Sequence, residues 1–191
     1  MSRLKAVTVF CGSSVGRDAA FAAAAEGLGR ELASSGRTLV YGGGHVGLMG
    51  RIADAALAAG GHVIGVIPEA LMAREVGHRG LPDLRVVASM HERKALMAAL
   101  GDAFVAMPGG FGTLDELFEA VTWAQLGIHA KPIGLLNVLG YFDFLLRFAD
   151  RAASDGFVRA AHRDLLVVAS EPAALLEDLE AFETHPVSKF A

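Results

Sequence analysis

The sequence predicts a doubly wound α/β fold: a Rossmann-like parallel sheet of about seven strands with helices on both faces. Three observations carry the expectation. Short, uniformly apolar runs recur along the chain, as strands buried on both faces require. A helical stretch separates almost every pair of them, which gives right-handed parallel crossovers. Small-residue turns rich in glycine follow several of the runs. No linker, repeat or low-complexity tract interrupts the 191 residues, so one domain over 1–191 is expected.

The elements follow in order. Ala6 to Phe10 (AVTVF) is β-branched and ends at Cys11-Gly12-Ser13-Ser14. Phe21 to Ala33 is alanine-rich, with Leu28 and Leu32 four apart, and reads as a helix. Thr38 to Tyr41 is a second strand, followed at once by Gly42-Gly43-Gly44. Leu48 to Ala59 is helical and stops at Gly60-Gly61. His62 to Ile67 is a third strand closed by Pro68, and Leu84 to Val87 a fourth. Ser89 to Leu100 is a helix whose Ser89 and Glu92 fit a capping box. Ala103 to Met107 is a fifth strand ending at Pro108-Gly109-Gly110. Thr113 to Leu126 is a helix, with Thr113 and Glu116 again spaced as a capping box. Ile133 to Leu136, Tyr141 to Ala153, Leu165 to Val168 and Pro172 to Phe182 complete the pattern as strand, helix, strand and helix.

Composition excludes several classes. Hydrophobic residues make up 53% of the chain, too many for a disordered protein. The net charge of −4 provides no basic face for a nucleic-acid polymer. No apolar run approaches the ~20 residues a membrane span needs. The Met1-Ser2-Arg3-Leu4-Lys5 start leads straight toward a strand without a signal-peptide layout, so a cytoplasmic protein is expected. A single cysteine, Cys11, cannot form an internal disulfide, and its place at the end of a buried strand suggests a structural role. The seven histidines show no metal-ligand spacing, so no metal is expected.

In an open α/β sheet, ligands bind at the carboxyl ends of the strands. Three glycine-rich turns fall there: Gly12-Ser13-Ser14, Gly42 to Gly47, and Pro108 to Thr113. Glycine lets backbone N–H groups approach a ligand, and a helix beginning just after adds free N–H groups and a positive dipole end. Tight βα turns also need glycine for themselves, but three at one sheet edge favour a phosphate-bearing ligand. The P-loop pattern is absent, whereas Gly42-x-Gly44-x-x-Gly47 matches the dinucleotide fingerprint, with Glu69 beyond it. That match follows the second strand rather than the first and leaves the Pro108 to Thr113 turn unexplained.

Two charged segments adjoin these turns. Arg93 and Lys94 lie early in a helix, where they oppose the dipole unless an anion is bound; a solvated helix face is the alternative. Glu116 either closes the cap of its helix or turns its carboxylate to the ligand, with Asp115 and Glu119 as nearby alternatives.

Pro108-Gly109-Gly110-Phe111-Gly112-Thr113-Leu114-Asp115-Glu116 resembles the PGGxGTxxE motif of the Lonely Guy (LOG) family, the cytokinin riboside 5′-monophosphate phosphoribohydrolases long labelled lysine decarboxylases. The likeness extends to Tyr41-Gly42-Gly43-Gly44 through Gly47-Leu48-Met49-Gly50, to Val66-Ile67-Pro68 with Leu71, Met72 and Glu75, to Met90-His91-Glu92-Arg93-Lys94, and to Trp123 through His129. The resemblance implies hydrolysis of the N-glycosidic bond of an adenosine-type 5′-monophosphate, with Arg93 and Glu116 as the catalytic pair. It implies a phosphate cradle at Gly110, Gly112 and Thr113 beside Gly109, with Met90, Lys94, Glu75 and Thr122 lining the nucleotide pocket. Gly43, Gly44, Ser13 and Ser14 belong to the adjoining turns and are expected to contact substrate. No cofactor is expected: a decarboxylase would need a Schiff-base lysine, and Lys5, Lys94, Lys131 and Lys189 offer no obvious one. A non-catalytic nucleotide or cofactor carrier, and an NAD-type oxidoreductase, stand as alternatives. The apolar helix Leu117 to Ile128 is expected to pack against its twin in a homodimer.

Overall fold

The computed structural model describes residues 4–72 and 77–183. These form an all-parallel sheet of seven strands: β1 (Ala6–Phe10), β2 (Thr38–Tyr41), β3 (Val63–Pro68), β4 (Asp83–Val87), β5 (Ala103–Ala106), β6 (Ile133–Leu136) and β7 (Leu166–Ala169). The order across the sheet is β4-β3-β2-β1-β5-β6-β7. The winding therefore reverses between β1 and β5, where Thr8 pairs with Val40 on one side and Phe104 on the other. A crevice opens at the carboxyl ends of strands at such a switch point. The three glycine turns follow β1, β2 and β5, which are adjacent strands flanking that crevice.

Side chains alternate along each strand between two cores. Val7, Val9, Leu39 and Tyr41 face a layer made by α1 (Ala19–Ser34), α2 (Gly47–Ala58) and α8 (Pro172–Ala181). Phe10, Val40, Phe104 and Ala106 face α4 (Met90–Leu100), α5 (Phe111–Gln125) and the segment that leads into α6 (Asp143–Ser154). Each large side chain buried here contributes roughly 1.5–3 kcal/mol relative to exposure.

The predicted strands are present within a residue or two, and the differences are local. Asp18 caps α1, its carboxylate accepting from Ala20 N at 2.9 Å, so the helix starts before Phe21. A 3₁₀ turn, Val138–Gly140, delays α6 until Asp143. Two helices of four residues, α3 (Glu69–Met72) and α7 (Ala160–Arg163), are too short to show a helical period in sequence. At α4, Ser89 accepts from Glu92 N at 3.1 Å, while Glu92 turns back to Ala88 N at 2.9 Å, one residue before the cap. The capping box expected at Thr113 and Glu116 does not form: α5 begins at Phe111 with Gly110 as its cap and no side-chain cap bond. Thr113 and Glu116 are instead buried on the inner face of α5.

Candidate active site

The site is built from two helices whose core-facing stripes change character at the crevice. On α4 the buried positions are Arg93 and Met97, one turn apart on one face. On α5 they are Thr113, Glu116, Leu117 and Ala120, again one stripe. Met97, Leu117 and Ala120 pack on the sheet. Nearer the crevice the same stripes present Arg93 and Glu116 to each other, Nη1 to Oε1 at 3.1 Å. Both are about nine-tenths buried.

The arginine is held on three sides. Its Nε donates to the carbonyl of Val66 at the end of β3 at 3.1 Å, and its Nη2 to the carbonyl of Gly42 just after β2 at 3.3 Å. Nη1 also lies 3.9 Å from Met90 Sδ. Gly42 is required by this approach, because a Cβ there would fall 1.9 Å from Arg93 Nη2. That atom is the tip of a long side chain and can swing away. Gly42→Ala is therefore expected to fold normally but displace the guanidinium, with any turnover that depends on it falling on the order of 10²-fold. Steady-state kinetics with a melting curve checks this, and wild-type kcat would refute it.

Burial pushes the Glu116 carboxyl above the ordinary glutamate range, with the Arg93 charge pulling it back. A carboxylate whose folded-state pKa is raised weakens the fold as pH rises past the ordinary glutamate value. The ion pair is thus poorly explained as a stabilising device and well explained as chemistry.

The pair opens into a cavity of about 330 Å³ lined by Cys11, Ser13, Gly42, Met49, Leu71, Met90 and the α5 start from Gly110 to Thr113. The first N–H groups of a helix have no partner within it, which gives the start of α5 an anion-binding end. A second cavity of about 300 Å³ adjoins it, sharing Ser13 and Gly110 and adding Ser14, Phe21, Gly109 and Tyr141. Gly12 N donates to Pro108 O at 3.0 Å, tying the turns after β1 and β5 together.

Of the residues expected at the site, Arg93, Glu116, Met90, Gly110, Gly112, Thr113 and Ser13 come together around the first cavity, and Ser14 and Gly109 around the second. Glu75 lies outside the described residues. Lys94 does not reach the cavity: its Nζ pairs with Asp115 at 3.1 Å and Glu119 at 3.2 Å, clipping α4 to α5. Thr122 is several turns along α5, in the groove against α6. Gly43 and Gly44 are buried away from the cavity, Gly43 accepting from His78 N and Gly44 bridged to Gly77. The dinucleotide fingerprint is likewise a packing pattern. Gly42 makes room for Arg93, and a Cβ on Gly47 would fall 2.2 Å from the Ser13 backbone. Sequence reasoning placed Met49 only within the second glycine stretch and Tyr141 only at a helix start, and treated Phe111 only as the variable position of a motif. The signal for Phe111 is a large aromatic inside a glycine turn with no core partner, and it is 93% exposed.

Cys11 lines the cavity floor, but burial, helped by the Glu116 charge, pushes its thiol far up, so it is a neutral packing group. Iodoacetamide at mildly alkaline pH is expected to leave Cys11 unlabelled in the native protein and to label it fully after denaturation, as read by mass spectrometry. Rapid native labelling would contradict this. Among the described residues, no cluster of three or more His, Cys, Asp or Glu gathers as a metal site.

Fold and site define the protein as a Rossmann-like α/β protein with a buried carboxylate–guanidinium pair in its switch-point crevice. Residues 49–179 match the family described as "Possible lysine decarboxylase". The chain is 55% identical, over 95% of its length and 80% of the relative's, to a "Probable cytokinin riboside 5'-monophosphate phosphoribohydrolase" of Oryza sativa subsp. japonica. It is 51% identical, over 95% and 85%, to a cytokinin riboside 5'-monophosphate phosphoribohydrolase of Arabidopsis thaliana. Among solved structures, the molybdenum cofactor binding protein of Rippkaea orientalis superposes with a TM-score of 0.71 at 20% identity, covering 94% of this chain and 97% of that one. At that identity the likeness extends to the fold alone. The chain belongs to the Lonely Guy (LOG) family, and among the described residues no lysine lines the cavity. Lys94 is engaged by two carboxylates, and Lys131 donates to the carbonyls of Ala98 and Gly101, so neither lines the cavity to carry a Schiff base.

Proposed function

We propose that this protein hydrolyses the N-glycosidic bond of adenosine-type 5′-monophosphates, including cytokinin riboside 5′-monophosphates, to the free base and ribose 5-phosphate. The buried Arg93–Glu116 pair at the mouth of an anion-binding helix carries the reading. The naming of relatives at about half identity as phosphoribohydrolases supports it. N-glycoside cleavage passes through an oxocarbenium-like state, and a carboxylate held beside the anomeric carbon stabilises that charge or directs water to it. Arg93 fixes one oxygen of Glu116, which leaves the other for the sugar. The start of α5, Gly110 to Thr113, takes the 5′-phosphate, and this remote contact orients the ribose. Incubation with AMP and with N6-isopentenyladenosine monophosphate, followed by chromatography, tests the reading. Base release above a Glu116→Gln control is expected. Tight nucleotide binding with no base release would replace the hydrolase by a carrier.

The protein is further proposed to act as a homodimer. Leu117 and Ala120 of α5 are spent on the protein's own core, but Phe118, Leu126 and Ile128 on the same segment remain exposed. Exposed apolar side chains on one segment suit a subunit contact. Light scattering is expected to give at least twice the 19.9 kDa chain mass. A monomer at micromolar concentration would contradict it. No helix among the described residues is long and apolar enough to cross a membrane.

A further inference from the structure

The turn from β6 into α6 is held by side-chain hydrogen bonds of Asn137. Asn137 holds both of its ends: its Nδ2 donates to Asp143 Oδ1 at 2.8 Å, and its Oδ1 accepts from Phe142 N at 2.7 Å. Between them Leu139 sits at φ 52°, ψ 28°, the one positive-φ non-glycine among the described residues. A leucine in the left-handed region is strained and persists where the surroundings impose it, often beside functional sites. Here the result is the placement of Tyr141. Its ring stands edge-on to Phe21 and Phe142, with centroids 5.8 Å and 5.2 Å away. Its hydroxyl crosses to the glycine turn after β5 and donates to the carbonyl of Gly109 at 2.5 Å.

That carbonyl shares one planar trans peptide with the N–H of Gly110, and in such a unit the C=O and N–H point in opposite directions. Fixing Gly109 O toward Tyr141 therefore fixes the heading of Gly110 N–H, at the cap of α5 where the two cavities meet. Glycines on both sides of this peptide leave it otherwise easy to rotate. We infer that Tyr141 is a positioning residue: it sets the Gly109–Gly110 peptide so that its N–H faces the phosphate of the ligand. The inference rests on the proposed phosphoribohydrolase reading and adds to it a residue outside the recognised motifs, on an element separate from the cradle.

The test is Tyr141→Phe, which keeps the ring packing and removes only the hydroxyl. Calorimetry with ribose 5-phosphate and with adenine, on wild type and variant, measures binding without turnover. Loss of one hydrogen bond predicts a rise in the ribose 5-phosphate Kd of about two- to tenfold, with the adenine Kd and the melting temperature unchanged. An unchanged ribose 5-phosphate Kd, an equal weakening of both ligands, or no ribose 5-phosphate binding by wild type would overturn the inference. Base release from AMP, followed in parallel, separates this result from the wider reading. Weakened phosphate binding in a protein that releases no base removes the hydrolase and leaves the positioning role. Base release with no dependence of ribose 5-phosphate binding on Tyr141 removes the positioning role alone.

Discussion

Glu116→Gln is expected to lower kcat for base release by about 10²–10³-fold, the usual loss when a group stabilising transition-state charge is removed. KM should move little, because the phosphate is held by the start of α5 rather than by the carboxylate. The substitution is close to isosteric, and the amide oxygen can still accept from Arg93 Nη1, now 3.1 Å from Glu116 Oε1. The melting temperature should therefore stay near that of wild type, which separates a chemical defect from a folding one. The pH profile gives a second readout. Burial raises the Glu116 carboxyl above its ordinary value of 4.5, and the reaction needs it ionised. Wild-type kcat/KM should therefore fall on acidification with an apparent pKa above that value, and the limb should vanish in the variant. A Glu116→Gln enzyme with wild-type kcat would remove Glu116 from the chemistry.

Arg93→Ala is expected to damage both activity and stability. The guanidinium reaches three acceptors at once: the carbonyls of Val66 and Gly42 and the carboxylate of Glu116. Removing it strands a buried carboxylate, a change that typically costs about 3–5 kcal/mol. For a chain of this size the melting temperature should fall on the order of 10 °C. The sign with pH is definite. Without the Arg93 charge, burial raises the Glu116 pKa further, and the proton is then bound more tightly in the folded than in the unfolded state. The deficit should be largest at neutral and alkaline pH and shrink as pH falls toward the ordinary glutamate value. Activity should drop at least as far as in Glu116→Gln. Arg93→Lys should not rescue it, since one ammonium cannot span three acceptors laid out for a planar fork. Calorimetric melting at several pH values, alongside kinetics, checks both parts. An Arg93→Ala protein as stable as wild type at neutral pH would show that the pair is less enclosed than the distances imply.

The fold was legible because the five central strands are short apolar runs buried on both faces, and the long helices show their period. The short helices Glu69–Met72 and Ala160–Arg163 were not, as a single turn leaves no period to read. Arg93 and Glu116 were legible as charged residues next to glycine turns. What spacing could not decide was the role of Glu116, because a residue three positions after a threonine reads equally as a cap. Tertiary packing removes the cap by starting α5 at Phe111 and turns Glu116 inward. Lys94 was misplaced for a related reason. Adjacent to Arg93 on α4, it is rotated by about 100° around the helix and meets Asp115 and Glu119 instead of the cavity. Gly42 matched a phosphate fingerprint because the same residue type serves any close approach, here that of an arginine from a distant helix. Tyr141 had no sequence signal, since its role depends on a left-handed Leu139 and a carbonyl 32 residues away.

The Arg93–Glu116 pair, beside a helix-start phosphate cradle, is proposed to break an N-glycosidic bond. Quantifying base and ribose 5-phosphate released from a nucleoside 5′-monophosphate, with the matching unphosphorylated nucleoside alongside, tests it most directly. Equimolar base and ribose 5-phosphate from the monophosphate, little from the nucleoside, and release of both products slowed by about 10²–10³-fold in Glu116→Gln is the predicted result. Base release equal from both substrates, or undiminished in Glu116→Gln, would contradict it.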